Sequence, residues 1–83
     1  MIILNIGEAV KLRIIDLCNE HNITVNKLAT ICGLTQSTLS NIVSGRNNST
    51  TVSTIKKICD GLGITIIQFF DSHHFENLEQ EIK

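Results

Sequence analysis

The chain has no proline, no tryptophan and no tyrosine, and its only aromatic side chains are three phenylalanines. Without proline no helix is forced to break from within, so other residues must set the helix ends. Glycine is scarce, with five in 83 residues, and each can be asked what it terminates. Charged residues make up 18% of the chain and apolar residues 42%, the balance of a globular rather than a disordered protein. Cys18, Cys32 and Cys59 stand far apart and form no Cys-x-x-Cys pair, which argues against zinc and dithiol motifs. They read as small buried apolar residues of a reducing cytoplasm. No apolar run approaches the ~18 residues of a membrane span, and Ile2–Leu4 lacks the basic leader of a signal peptide. A cytoplasmic protein with no membrane partner is expected.

Chemistry-bearing constellations are also missing. There is no nucleophile–base pair, no phosphate-cradling glycine loop and no pair of carboxylates in an apolar setting, so the expectation is a protein that is not an enzyme and uses no cofactor. His73, His74 and Glu76 invite a metal reading. Two adjacent histidines cannot share one helix face, however, and no further ligands are near in sequence, so no metal is expected.

A length of 83 residues fits one domain with a modest core, a size at which good helix packing or dimerisation helps. The net charge of −1 does not point to nucleic acid, but its distribution is uneven. Residues 1–70 hold six Lys/Arg against four Asp/Glu, and residues 71–83 hold one Lys against four acids. The body is thus weakly basic and the tail acidic.

Asn5 and Glu8 form a capping box that starts a first helix from about Ile6 to His21, with Val10, Ile14, Leu17 and Cys18 as one buried stripe. Leu12 and Ile15 make a second face apolar too. Asn22-Ile23 breaks this helix. Thr24 caps a second helix carrying Leu28, Ala29, Ile31 and Cys32, which Gly33 ends. Thr35 caps a third, with Leu39, Ile42 and Val43 buried, and Ser44-Gly45 ends it. A polar loop, Arg46 to Thr50, leads to a fourth helix starting near Thr51, burying Val52, Ile55, Ile58, Cys59 and Leu62 and stopping around Gly61 to Gly63. Thr65 and Gln68 form a second capping box before a short fifth helix with Ile66, Phe69 and Phe70. In the tail, Phe75, Leu78 and Ile82 are spaced as one helix face, with a frayed end as the alternative.

The stretch VNKLATICGLTQSTLSNIVS, residues 25–44, is the informative one. Ala29 is small where a second helix would cross, Gly33 makes the turn, and Leu39 and Ile42 lock the following helix so that its other face stays free for a major groove. LATICGLTQSTLSNIVSGRNN resembles the core motif of the phage-repressor or Cro-type helix-turn-helix family, also called the xenobiotic-response-element (XRE) family, and the likeness covers about residues 6–70. It implies an all-α, compact five-helix, lambda-repressor-like DNA-binding domain over residues 1–70, with an acidic tail over 71–83.

The resemblance further implies a transcriptional regulator, most simply a repressor, that binds double-stranded DNA through the helix from Gln36 to Val43. Gln36, Ser37, Ser40 and Asn41 then read bases, and Gln and Asn can each make a bidentate contact to adenine. Thr24, Thr35 and Arg46 sit where members of the family touch phosphate, and Lys27, Asn47 and Asn48 are further candidates. The plainer reading is that the two threonines only cap helices and the polar side chains are only solvated. Against it, a helix face of Gln, Ser, Thr and Asn without charge suits base edges better than a routine surface. Two departures stand out. Val25 replaces a polar phosphate contact, and Cys18 and Val43 replace a buried Arg–Glu pair, leaving no unpaired charge. Homodimerisation is expected, with the Ile2–Leu4 arm or the tail covering the first helix's second face within one chain or across a dimer. The alternative function is an antitoxin or another subunit that binds a protein partner.

Overall fold

One recurring joint sets most helix boundaries. In the computed structural model, which describes residues 3–46 and 49–82, five helices follow one another: α1 Ile6–Glu20, α2 Val25–Cys32, α3 Gln36–Val43, α4 Val52–Leu62 and α5 Ile66–Phe70. α1, α2 and α4 each end on a residue in the left-handed region: Asn22 at φ 58°, Gly33 at φ 70° and Gly63 at φ 71°. The next residue is aliphatic, and its N–H reaches back five residues. Ile23 bonds the Cys18 carbonyl at 2.9 Å, Leu34 that of Ala29 at 2.9 Å and Ile64 that of Cys59 at 3.0 Å. Each aliphatic side chain packs on the core. A threonine then opens the following helix, its hydroxyl accepting from Lys27, Thr38 or Gln68. This satisfies orphan carbonyls and amides on both sides of the joint within a few residues.

The core gathers Ile14 and Leu17 from α1, Leu28 and Ala29 from α2, Leu39 and Ile42 from α3, Ile58 and Cys59 from α4, and Phe69 from α5. Cys18 and Cys32 are buried as well, and all three thiols are free. Burial pushes each of them up from the ordinary 9.0, which keeps them protonated and unreactive. Cys18 is buried and Val43 packs against the core, so apolar packing occupies both positions of the replaced ion pair.

Two readings of α4 change. Val52 was expected inside but is 72% exposed, because it is the first residue of the helix and precedes the buried stripe. Gly61 does not end the helix. It lies within it, where a Cβ would stand 2.6 Å from Cys32 Sγ and 3.2 Å from Cys32 Cα. The backbone of α4 approaches α2 there as closely as only glycine permits.

The tail differs from the helical stripe. His73–Phe75 is one 3-10 turn packed against α1, Leu78 pairs with Leu4 in an isolated parallel bridge, and Ile82 is exposed. The Phe75 ring lies 4.8 Å from that of Phe70, edge to face. The Asp16 carboxylate accepts from His74 Nε2 at 2.7 Å, and the Glu79 N–H donates to the Leu4 carbonyl at 2.8 Å. The tail turn thus lies on the first helix within one chain, and the arm is bonded to the tail. Arg13 completes this side. Its Nε and Nη2 donate to the Phe69 and Gln68 carbonyls at 2.6 and 2.9 Å, a cation at the negative end of α5.

Candidate nucleic-acid interface

α3 presents two unlike faces. Leu39 and Ile42 are fully buried, and Thr38 and Val43 are half-buried beside them. Gln36, Ser37 and Ser40 are exposed and Asn41 is half-buried, so the four expected base readers share the outward face. Their spacing produces this: Ser37, Ser40 and Asn41 stand at i, i+3 and i+4, and Gln36 lies one turn before Ser40. Ala29 is 1% exposed and Gly33 turns the chain from α2 into α3, as the four structural positions of the motif require.

Neither helix of this unit starts with a negative charge. Thr24 and Thr35 are the N-caps, and neither α2 nor α3 carries an acid in its first turn. An aspartate would cap equally well but would repel a phosphate from the positive end of the helix. Capping uses a threonine lone pair, and the hydroxyl proton is separate from it, so capping and donation to a phosphate are compatible. At Thr35 the hydroxyl also meets that of Thr38 at 2.8 Å, and either can donate to the other. Thr38 was missed in the sequence reading, although its place three residues after the cap was a usable signal. Ser44, at the other end of α3, donates its hydroxyl to the Asn41 carbonyl at 3.2 Å.

Lys27 and Arg46 are exposed, one in the first turn of α2 and the other just past α3. Asn47 and Asn48 lie outside the described residues. Val25, where a polar residue was the common pattern, is half-buried against the core. The remaining described cations stand on α1 and α4, where Arg13 is committed to the end of α5 and Lys56 to Asp60. No group of three His, Cys, Asp or Glu among the described residues is arranged to hold a metal ion. His74, once weighed as a ligand, is bonded to Asp16.

This geometry is two short helices at a glycine turn, the second with a free polar face. The family model for the Cro/C1-type HTH DNA-binding domain matches residues 13–71. The chain belongs to that family. The Cro/C1-type match spans every joint described above except the start of α1, and it makes the protein a DNA-binding transcription regulator by family. A crystal structure of prophage Lp1 protein 11 is similar, with a TM-score of 0.79 and 36% sequence identity, covering 92% of this chain and 100% of that one. No curated protein matches. As a Cro/C1-type domain the molecule is all-helical in its five elements, and no described helix is long and apolar enough to cross a membrane.

Proposed function

We propose that this protein is a transcriptional repressor of the cytoplasm that binds an operator in double-stranded DNA as a homodimer and lays α3 in the major groove. The observation that carries the reading is the outward face of α3, where four uncharged hydrogen-bonding side chains stand together above a fully buried inner face. Gln36 and Asn41 offer the donor–acceptor pair that matches adenine N7 and N6, and Ser37 and Ser40 accept or donate to any base. Thr24, Lys27, Thr35 and Arg46 are assigned to phosphates, which set register and carry no sequence information. Asn47 and Asn48 belong to the same assignment on sequence grounds. A small domain that occupies a promoter represses by occlusion. Three free buried thiols suit a reducing compartment.

Binding to labelled DNA from around its own gene, with random DNA as control, tests this. Gln36→Ala should weaken the specific complex by about 1–3 kcal/mol and leave random DNA nearly unchanged. Equal losses on both sequences would remove Gln36 from base reading. Absence of binding by the wild type at low salt would end the DNA reading and turn the search to a protein partner, the antitoxin-like alternative.

A further inference from the structure

We infer that Thr38 is a positioning residue for DNA binding: its hydroxyl donates to that of Thr35 and turns the Thr35 proton outward to a phosphate, a role that rests on the assignment of Thr35 to the DNA backbone. A threonine oxygen has two lone pairs and carries one proton. In Thr35 one lone pair accepts the Thr38 N–H at 3.1 Å. The Thr38 hydroxyl lies 2.8 Å from the same oxygen, and either can donate. If Thr35 donates, its proton is spent inside the helix start. If Thr38 donates, both lone pairs of Thr35 are filled and its proton points out. Thr35 is exposed and Thr38 half-buried, so a phosphate reaches Thr35 first. A phosphate oxygen only accepts, and its charge strengthens the bond it receives. Bound DNA therefore selects the second arrangement, in which each hydroxyl polarises the next.

The other helix starts do not share this arrangement. At α1 and α5 the third helical residue, Glu8 or Gln68, accepts the N–H of its own cap at 3.2 or 2.8 Å, which closes the cap in both directions. At α2 that place holds Lys27. α4 comes nearest, because Thr51-Val52-Ser53-Thr54 repeats Thr35-Gln36-Ser37-Thr38 with one change. There Thr51 donates to Thr54 at 3.0 Å, so its proton turns inward and none is offered outside. The same pair in the same place thus serves as a control. Thr30 shows the more common use of a helical threonine, donating to the Asn26 carbonyl at 3.2 Å, whereas Thr38 bonds the cap.

Affinity for DNA from around its own gene and for random DNA, measured beside thermal midpoints, tests the role. Thr38→Val should weaken both complexes by about tenfold, because a phosphate contact carries no sequence information. The salt slope should stay the same, since no charge is lost. Thr38→Ser should restore affinity, and Thr38→Ala repeats the test should valine not fit. Thr54→Val should bind like the wild type whatever its midpoint. Thr35→Gly keeps most of the cap but has no hydroxyl, so adding Thr38→Val to it should cost no further affinity. Full affinity in both Thr38→Val and Thr38→Ala, no rescue by serine, an equal loss in Thr54→Val, or losses that add in the double variant would each overturn the role of Thr38 and leave the DNA function standing. A wild type that binds neither DNA at low salt would remove both.

Discussion

At the scale of single residues, small side chains decide more than charged ones. Threonine opens four of the five helices, and at Thr24 and Thr35 its neutrality leaves the helix starts attractive to anions. Gly33 was legible in the sequence because a left-handed turn between two short helices demands it. Gly61 was not, since the need lies in the neighbouring helix and sequence spacing placed it beside the true terminator, Gly63. Gly61→Ala should therefore destabilise the fold. Overpacking costs about 1–3 kcal/mol, and the better helix propensity of alanine returns up to ~1 kcal/mol. A urea midpoint below that of the wild type is the expected result, and adding Cys32→Ala should recover part of the loss. A midpoint at or above the wild type would show that α2 yields freely at Cys32. Arg13 was equally hidden, because its partners Gln68 and Phe69 lie 55 and 56 residues away.

At the scale of elements, the helices were legible and the tail was not. Caps, glycine stops and apolar spacing are local signals, and they located α1, α2, α3 and α5 to within a residue or so. The outward polar face of α3, with Gln36, Ser37, Ser40 and Asn41, followed from the same spacing. Phe75, Leu78 and Ile82 fit a helical stripe, but no cap or stop supports one, and tertiary partners settle the matter. Phe75 joins the rings of Phe69 and Phe70, and Leu78 finds Leu4 at the other end of the chain. Removing residues 72–83 should lower stability by roughly 2–4 kcal/mol, the worth of a half-buried phenylalanine and its ring contacts. The ratio of specific to random DNA binding should not change, because α3 keeps its cap and its core. An unchanged thermal midpoint would show that the tail contributes nothing to the fold.

At the scale of the molecule, the distribution of charge sets how DNA is held. Of the described cations, Lys27 and Arg46 alone lie in the helix-turn-helix or directly after it. If each neutralises one phosphate, the slope of log affinity against log salt should be about −2 for one copy and about −4 for a dimer. A slope of about −7 for a dimer would mean that Lys11 and Lys57 also reach the backbone. Non-specific binding should be correspondingly weak, so selectivity falls to hydrogen bonds from neutral side chains. The repeated joint has a kinetic consequence of a different kind. Left-handed residue, aliphatic anchor and threonine lie side by side three times, and each joint closes with bonds spanning five residues or fewer. The chain can therefore mark out its rods before any two of them meet. What is left for the rate-limiting search is the docking of segments whose lengths are already decided, the situation in which helical domains fold within microseconds to milliseconds.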